Sequence, residues 1–195
     1  MDAKTLEFYQ SHAREWAAAL PHPYSPTLDA FLDQLAPGAR ILELGCGDGR
    51  DAQRMITRGF AVEPSDGSPE MARLASERIG REVRVMRFEE LDAECVYDAV
   101  WCYASLLHLE ERALAPVLRK IHRALLPGGW HFASFKGGDG GHRDDFGRFY
   151  SYIPADRLRS AYEDAAPWAS LALSSRHGGS FGGTPTIWHN VTAQV

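Results

Sequence analysis

The apolar positions of this chain fall into short runs that alternate with segments of helical spacing. Residues 4–20 place apolar side chains three and four positions apart, which predicts an amphipathic helix that Pro21 stops. A second helix is predicted to start with Ser25-Pro26, as N-cap and first helical residue, and to end near Pro37-Gly38. Further helices are expected over 49–58, from Ser68-Pro69 to Ile79, from Pro116 to Leu126 and near 154–166.

Between these helices, apolar runs have the length and composition of buried strands. They are residues 39–44, 60–62, 83–86, 97–102 and 130–135. Strands that alternate with helices predict a parallel sheet covered on both faces. Two later β-like runs, 168–175 and 184–195, flank Gly178-Gly179 and Gly182-Gly183, an arrangement typical of an antiparallel hairpin. The pattern therefore predicts an α/β domain with a hairpin at the edge of its sheet.

Composition and charge narrow the classes of function. With 195 residues, 45% hydrophobic and 24% charged, the sequence is typical of one globular domain and excludes a disordered or fibrous protein. The net charge of −5 gives no reason to expect a nucleic-acid surface, and no apolar run approaches the roughly 18 residues that span a membrane. Residues 1–4 lack the order of a signal peptide, and three cysteines without metal-ligand spacing suit a reducing cytosol. We expect a cytoplasmic protein with no metal and a small-molecule substrate.

The segment with the clearest chemical signal is Glu43-Leu44-Gly45-Cys46-Gly47-Asp48-Gly49, directly after the first strand. Ligands of open α/β sheets bind beyond the carboxyl ends of the strands, and glycines there let the backbone approach the ligand closely. The spacing G-x-G-x-G differs from the dinucleotide fingerprint G-x-G-x-x-G, whose last glycine is replaced by Arg50. The glycine-lysine pair of a P-loop is also missing. A nicotinamide-dependent oxidoreductase is therefore a remote alternative.

A second carboxylate, Asp66, follows the second strand. A carboxylate at this strand end can accept hydrogen bonds from both hydroxyls of an adenosine ribose, each worth about 1.5–3 kcal/mol. The alternative for Asp66 is a turn or helix-capping residue. For Glu43 we prefer an indirect, backbone-orienting role to direct contact with a ligand.

Taken in order, these motifs resemble those of the class I S-adenosylmethionine-dependent methyltransferases. The E-x-G-x-G-x-G loop at 43–49 is similar to the family's first motif. The F-x-V-x-x-x-D-x-S-P-x-M run at 60–71 is similar to its ribose-binding motif, and the L-x-P-G-G turn at 125–129 to its late motif. The tail, with Ser134-Phe135-Lys136 and Trp188-His189-Asn190-Val191, looks most like small bacterial members related to tellurite-resistance and other small-molecule methyltransferases.

The resemblance implies a Rossmann-like three-layer sandwich with a mostly parallel seven-stranded sheet and an antiparallel C-terminal hairpin. It divides the single domain 1–195 into an N-terminal helical cap, a cofactor-binding core, a substrate lid with a helix, and the hairpin. These parts are 1–37, 38–136, 137–167 and 168–195. The implied reaction moves a methyl group from S-adenosylmethionine to a small acceptor and leaves S-adenosylhomocysteine. The alternative is a module that binds S-adenosylmethionine without catalysis.

Nucleic acid is not the expected acceptor. Methyltransferases of similar fold that act on base amino groups carry an N-P-P-Y or D-P-P-Y tetrapeptide after the fourth strand. In this sequence that strand leads instead into Tyr103-Ala104-Ser105-Leu106. The acidic net charge favours the same conclusion.

By position, the resemblance also implies which residues bind the cofactor. They are Tyr9, Trp16, Glu43, Gly45, Cys46, Gly47, Asp66, Gly67, Ser68, Met71, Phe88, Glu89, Glu90, Cys102, Tyr103 and Ala104. Many relatives have Gly-Asp where this sequence has Phe88-Glu89, which changes the side chains offered to the adenine amino group.

The acceptor side offers fewer signals. His108, Tyr103 or His142 could act as a general base if the acceptor must lose a proton, and packing is the preferred alternative for His108. The candidates for binding an anionic acceptor lie in or beside the glycine-rich segment 137–148, which we expect to be a mobile lid. They are Lys136, His142, Arg143 and Arg148. An equal alternative is a solvated loop whose charges pair with Asp139, Asp144 and Asp145.

Overall fold

The computed structural model describes residues 1–19, 23–179 and 185–195. The helices within these ranges are α1 (Ala3–Ala18), α2 (Leu28–Leu32), α3 (Arg50–Thr57), α4 (Pro69–Ile79), α5 (Glu111–Ala124) and α6 (Ala155–Ala165). The strands are β1 (Arg40–Leu44), β2 (Ala61–Asp66), β3 (Arg84–Val85), β4 (Tyr97–Cys102), β5 (Leu125–Gly137), β6 (Gly140–Arg143), β7 (Phe149–Tyr152), β8 (Ser170–Gly179) and β9 (Pro185–Gln194). Short 3₁₀ turns cover Phe88–Glu90 and Leu106–His108.

The strands form one twisted sheet whose central order is β3-β2-β1-β4-β5, all parallel. Strand β9 pairs antiparallel with β5 on one side and with β8 on the other, so β8 runs in the direction of β5. The strand order reverses between β1 and β4, and such a reversal opens a crevice at the carboxyl ends of the strands. The predicted α/β class, mostly parallel sheet and antiparallel C-terminal hairpin are confirmed. The predicted number of seven strands was wrong, because the described residues form a nine-stranded sheet that also includes β6 and β7.

Buried side chains fill a layer on each face of the sheet. One layer packs α5 and α6 onto β4 and β5 and includes Leu118 and Tyr162, both fully buried. The other packs α2 and α3 onto the opposite face and includes Phe31 and Trp101, whose ring centroids are 5.1 Å apart. Both layers are made of interlocked apolar side chains, so they hold the carboxyl ends of the strands in fixed positions.

Helix α4 and strand β4 match their predicted bounds because each carries strong local signals. The Ser68 hydroxyl accepts a hydrogen bond from the Met71 N–H, and Pro69 occupies the first turn of α4. Gly80 then ends the helix with a φ of 68°, a conformation that glycine adopts without strain. Strand β4 is apolar and buried at every position except Asp98.

The predicted helix from Ser25 to Gly38 was wrong in its extent, since α2 covers only Leu28–Leu32. The Ser25 N–H and hydroxyl both donate to the carboxylate of Asp51, at 2.7 and 2.6 Å. Ser25 therefore makes a tertiary contact, and Thr27 becomes the residue that precedes the helix.

Helix α5 begins earlier than predicted. It starts at Glu111, and Pro116 lies in its interior instead of opening it. A proline inside a helix removes one backbone hydrogen bond. The buried stripe that includes Leu114, Leu118 and Ile121 compensates, because it packs the helix onto the sheet.

Strand β5 is longer than the predicted run 130–135. It begins at Leu125 and includes the Pro-Gly-Gly turn 127–129, which bulges out of the pairing with β4 between Leu125 and Trp130. At its other end it runs past β4 to Gly137. This extension carries Lys136 to the edge of the sheet where the crevice opens.

The glycine-rich segment after β5 contains a hairpin that the sequence did not predict. Strand β6 pairs antiparallel with β7, and β7 meets the main sheet at one register pair, Lys136 with Tyr152. Three of the four residues of β7, Phe149–Tyr152, are aromatic, a β signal that the nearby glycines obscure. The segment 137–148, predicted to be a lid or a solvated loop, thus contains strand β6 of a hairpin beside the crevice.

Two predicted boundaries lie outside the described residues. They are the end of the first helix at Pro21 and the glycines Gly182 and Gly183 of the C-terminal turn. Within the described ranges, none of the helices has the length and apolar character that crossing a membrane requires.

Candidate active site

A cavity of about 390 Å³ opens at the carboxyl ends of β1, β2 and β4, a volume typical of small-molecule sites. It brings together the predicted site residues Tyr9, Trp16, Gly45, Cys46, Gly47, Asp66, Met71, Tyr103, Ala104, His108 and Lys136. Its lining also includes residues that were not predicted to belong to the site, among them Tyr24, Ser25, Asp48, Arg50, Asp51, Ser105, Tyr150, Arg176 and Trp188.

The glycine loop after β1 supplies a wall made of bare backbone. Gly45 and Gly47 have φ values of 79° and 58°, in the left-handed region that favours glycine. A Cβ atom at Gly45 would lie 2.5 Å from the Cβ of Ser105, whereas at Gly47 it would meet nothing within 4 Å. Gly45 is therefore required by close packing as well as by conformation.

Asp66 ends β2 with its carboxylate beside this loop. The carboxylate accepts backbone N–H groups from Gly47 at 2.9 Å and from Ser68 at 2.8 Å. Burial outweighs these hydrogen bonds and raises the pKa of Asp66 to about 6, so the group is ionised at neutral pH. Each oxygen keeps a lone pair for a further donor, which suits a pair of ribose hydroxyls.

Glu43 lies beneath the loop and does not line the cavity within the described residues. Burial, together with nearby Asp51 and Asp66, raises the pKa of Glu43 well above its usual range. Among the described residues its Oε2 atom has no hydrogen-bond partner. This position favours the indirect role for Glu43 over direct contact with a ligand.

Other residues predicted to bind the cofactor also lie outside the cavity lining, as far as the described ranges show. They are Gly67, Ser68, Phe88, Glu89, Glu90 and Cys102. Phe88 and Cys102 are core residues. The Glu89 carboxylate pairs with the N-terminal ammonium of Met1, and Glu90 accepts the N–H at the start of its own turn. Glu89 and Glu90, which were predicted to contact an adenine amino group, therefore bind other partners in this structure.

Helix α1 covers the cavity. Its Gln10 Oε1 atom accepts hydrogen bonds from the Ser68 hydroxyl and the Glu70 N–H at the start of α4, both at 3.0 Å. Its Thr5 Oγ1 atom accepts the Phe149 N–H at 2.8 Å. These contacts attach the helix to two sides of the crevice. As a result, Tyr9 and Trp16 line the cavity from above.

His108 is held between α1 and β7. Its Nδ1 atom lies 2.6 Å from the carbonyl oxygen of Phe149, which can only accept, so Nδ1 carries the proton. The Nε2 atom then accepts from the Tyr9 hydroxyl at 3.0 Å. Burial lowers the pKa of His108 to about 4, which makes the ring neutral and weakly basic. The geometry favours a positioning role for His108 over general-base catalysis.

The chain leaves β4 through a strained turn at Tyr103 and Ala104. Ala104 has a φ of 50°, which is unusual for a residue with a side chain, and its N–H donates to the Ser134 hydroxyl at 2.7 Å. The Tyr103 ring is almost parallel to that of Phe132, with centroids 6.4 Å apart. Burial raises the pKa of Tyr103, so its hydroxyl is protonated at neutral pH.

The cations predicted to bind an anion lie in different surroundings. Lys136 lines the cavity, with its Nζ atom 3.5 Å from the centre of the Tyr150 ring. Burial lowers the pKa of Lys136 to about 8, which leaves it mostly charged at neutral pH. His142, by contrast, is exposed on β6 and lies 3.3 Å from the carbonyl oxygen of Asp139.

The two arginines anchor the hairpin and do not appear in the cavity lining of the described ranges. Arg148 is 2% exposed, its guanidinium lies 4.2 Å from the centre of the Trp16 ring, and it binds Asp144 at 2.6 and 2.8 Å. Arg143 forms a bidentate pair with Asp2, which precedes α1, at 2.8 and 2.9 Å. Arg143 therefore connects the hairpin to the start of α1. Arg148 packs against α1 and pairs with Asp144 inside the hairpin itself.

Asp51 is a site residue that sequence reasoning missed. Besides the two hydrogen bonds from Ser25, its carboxylate accepts the Trp101 Nε1–H at 2.8 Å. Hydrogen bonds to a charged group are stronger than neutral ones, so Asp51 fixes the segment near Ser25 against β4. Its only local signal is its place in the first turn of α3, where an acidic residue is common.

Together, the fold and the cavity define a doubly wound α/β domain with a ligand site at its topological switch point. Residues 41–129 match the family of methyltransferase domains. The order of its motifs and its fold are likewise similar to those of the class I S-adenosylmethionine-dependent methyltransferases.

Individual relatives show the same similarity. The ubiquinone biosynthesis O-methyltransferase of Xanthomonas axonopodis pv. citri is 35% identical over 153 residues, which cover 68% of this chain and 63% of that protein. The chain thus spans less than two thirds of this relative's length.

Solved structures show the same fold at low sequence identity. One is Burkholderia thailandensis 1,6-didemethyltoxoflavin-N1-methyltransferase with 1,6-didemethyltoxoflavin and S-adenosylhomocysteine, with a TM-score of 0.77, 23% identity, and coverage of 98% of this chain and 87% of that one. Another is Haemonchus contortus phosphoethanolamine N-methyltransferase 2 with phosphomonomethylethanolamine and S-adenosylhomocysteine. Its TM-score is 0.78 at 15% identity, with coverage of 100% of this chain and 60% of that one.

Proposed function

We propose that this protein transfers the methyl group of S-adenosylmethionine to a small-molecule acceptor and releases S-adenosylhomocysteine. The observation that carries the proposal is the cavity in which Gly45, Gly47, Asp66 and Met71 meet at the carboxyl ends of the parallel strands. In the two structural relatives described above, S-adenosylhomocysteine is bound together with a small acceptor or its methylated form. The match of residues 41–129 to methyltransferase domains and this cavity support the same reaction class here.

The residues present suit such a cofactor. In this proposal the ionised Asp66 accepts the ribose hydroxyls, and the bare backbone of Gly45 and Gly47 lies along the methionine portion. Met71 flanks the adenine ring, and Tyr103 borders the region where the acceptor would meet the methyl group. The bound cofactor would supply an electrophilic methyl group on a positively charged sulfur.

The chain's own contribution is alignment and the exclusion of water. Helix α1 covers the cavity, and the Tyr9–His108 hydrogen bond keeps that cover in place. Holding two reactants in register and removing solvent can together contribute several kcal/mol to a displacement reaction. His108 and the protonated Tyr103 then serve to shape the site, and a base is needed only for an acceptor that arrives protonated.

We place this activity in the cytoplasm. Cys46, Cys95 and Cys102 are all free thiols, and Cys95 is exposed. Free thiols of this kind persist in a reducing compartment.

The direct test combines ligand binding with methyl transfer. Thermal unfolding is measured with S-adenosylhomocysteine, with NAD and without ligand, since a ligand at 100 times its dissociation constant stabilises by about 2.7 kcal/mol. We expect stabilisation by S-adenosylhomocysteine only, and transfer of labelled methyl from S-adenosylmethionine into the small-molecule fraction of a cell extract. Binding without any transfer would favour the non-catalytic module, and a failure to bind would contradict both.

A further inference from the structure

Lys136, Trp188 and Arg176 form a row across three adjacent strands. Trp188 on β9 is the register partner of Lys136 on β5 and also of Arg176 on β8. Directly paired residues project from the same face of a sheet, and neighbouring strands lie about 4.8 Å apart. The two cations therefore lie on either side of an indole, with backbones about 10 Å apart. All three side chains line the cavity.

The positive charges of this row are not neutralised by the protein that the structure describes. Lys136 contacts the rings of Tyr150 and Tyr152, and the Arg176 Nη2 atom lies 3.4 Å from the Tyr103 hydroxyl. Across residues 1–19, 23–179 and 185–195, neither cation has a carboxylate within 4.0 Å. Asp144, which is paired with Arg148, acts on Lys136 only from beyond this distance, so an anion that enters the cavity would be the first counter-charge within 4.0 Å of either cation.

The carboxylates of the cavity belong to its opposite flank and already have partners. Asp48 forms ion pairs with Arg50 and Arg78 at 3.0 and 2.7 Å. Asp51 and Asp66 accept the hydrogen bonds described above. These acids follow β1 and β2, whereas the row lies on β5, β9 and β8, beyond β4 in the sheet. The cavity is thus acidic at one end and cationic at the other.

Electrostatics around Lys136 support an anion at this end. Burial and the charge of Arg148 both lower the pKa of Lys136. An anion beside the ammonium group would oppose both effects, because an opposite charge at close range favours the charged form. The aromatic rings of Trp188, Tyr103 and Tyr150 surround the same space and favour a flat occupant.

We propose that the row Lys136–Trp188–Arg176 recognises the methyl acceptor, and that the acceptor is a planar, conjugated acid. Its ionised group lies against one of the two cations and its ring against Trp188. The Tyr103 hydroxyl positions the Arg176 guanidinium for this contact. The inference rests on the proposed methyl transfer and names the class of acceptor for the same cavity.

The test compares acids with their neutral amides in protein saturated with S-adenosylhomocysteine. The probes are 3,4-dihydroxybenzoate and 4-hydroxybenzoate, each against its amide, and the measurement is titration calorimetry at pH 7. We expect each acid to bind at least about tenfold more tightly than its amide, which corresponds to about 1.4 kcal/mol. Whichever of Lys136→Gln and Arg176→Gln removes the cation beside the ionised group should abolish most of this preference, whereas Trp188→Leu should weaken acid and amide alike.

Arg112→Gln is the matched control, because Arg112 is 86% exposed on α5, pairs with Glu110 and is not among the described residues that line the cavity. It should leave the preference for the acid unchanged. Affinity for S-adenosylhomocysteine, measured first in every variant, reports on the proposed function separately and on correct folding. If S-adenosylhomocysteine binds but no acid binds better than its amide, or if both row substitutions keep the preference, the row is not the acceptor site. If the wild type does not bind S-adenosylhomocysteine, the proposed function itself fails.

Discussion

The Tyr9 hydroxyl lies 3.0 Å from the Nε2 atom of His108, 99 residues further along the chain. Since the Nδ1–H of the same ring donates to the Phe149 carbonyl, one neutral imidazole joins α1, the turn after β4 and strand β7. Each of these elements contributes to the cavity. The imidazole therefore connects helix α1, which covers the cavity, to the turn after β4 and to strand β7.

This arrangement predicts an unusual titration for His108. In the wild type the ring should carry its proton on Nδ1 and titrate near pH 4, because burial disfavours the charged form. Tyr9→Phe should raise the pKa of His108, since the donor that favours neutral Nε2 is lost. Proton–nitrogen correlation NMR of the histidine rings measures both quantities. A wild-type pKa near 6.5, or a proton on Nε2, would contradict the interpretation.

Asp66 should make cofactor binding depend on pH. Its pKa of about 6 means that the carboxylate becomes protonated as the pH falls through 6, and a protonated oxygen no longer accepts a hydroxyl as well. Affinity for S-adenosylhomocysteine should therefore fall below pH 6 in the wild type. Asp66→Ala should bind at least about tenfold more weakly at pH 8, equivalent to about 1.4 kcal/mol, and lose this pH dependence. Calorimetry at pH 5 and pH 8 tests this, with exposed Asp33→Ala as the control.

Gly45 and Gly47 offer a matched pair of substitutions. An alanine at either position adopts a left-handed conformation, at about 1–2 kcal/mol. At Gly45 the new Cβ also meets the Ser105 Cβ at 2.5 Å, so the backbone or the turn after β4 must move. We expect Gly45→Ala to lower the free energy of unfolding by about 2 kcal/mol more than Gly47→Ala does. Urea denaturation measures the free energy of unfolding of both variants. Equal losses would mean that the close contact between position 45 and Ser105 does not limit stability.

The two hairpin arginines should differ in their effect on α1. Arg148→Ala removes a buried guanidinium that packs on Trp16 and leaves Asp144 unpaired, a change worth about 3 kcal/mol for a buried pair. Arg143→Ala removes an exposed pair with Asp2, worth less than about 1 kcal/mol. Trypsin should therefore cleave after Arg14 in α1 much faster in the Arg148 variant. Equal rates of cleavage after Arg14 in the two variants would show that Arg148 does not hold helix α1 over the cavity.

Buried histidines should make the protein sensitive to mild acid. The Nδ1 atom of His131 lies 3.1 Å from the Val100 carbonyl oxygen and its Nε2 atom 3.0 Å from the Tyr162 hydroxyl, while burial lowers its pKa to about 4. The unfolded chain binds this proton near pH 6.5, before the folded chain does. Stability is therefore complete above pH 6.5 and falls towards pH 4, by about 3 kcal/mol. Urea denaturation at a series of pH values between 7.5 and 4.5 measures how steeply the free energy of unfolding falls with pH. His131→Phe should make this fall shallower than in the wild type, and an equally steep fall would contradict the prediction.

Local signals explain which elements the sequence predicted well. Ser68 and Pro69 specify the start of α4 and Gly80 specifies its end, and the predicted bounds match. The helix expected from Ser25 failed because Ser25 satisfies Asp51, 26 residues away, in preference to the helix. A serine that binds a distant residue cannot be distinguished, from the local sequence, from a serine that caps a helix.

The site follows the same rule. The glycine loop and Asp66 are adjacent to strand ends, so their place at the crevice follows from the order of strands alone. Arg176 and Trp188 enter the cavity only because β9 inserts between β5 and β8, a pairing with no signature in the residues themselves. Arg148 carries a charge that suggested a ligand, yet its environment is aromatic and buried.

The β6–β7 hairpin meets the main sheet at one register pair, Lys136 with Tyr152, on the part of β5 that β4 leaves free. Because the hairpin pairs with the main sheet at so few positions, it can lengthen, shorten or be exchanged without disturbing the parallel strands that support the cofactor loop. The same element contributes Tyr150 to the cavity. This part of the chain is therefore the place where a descendant of this protein could acquire a new acceptor while keeping its donor.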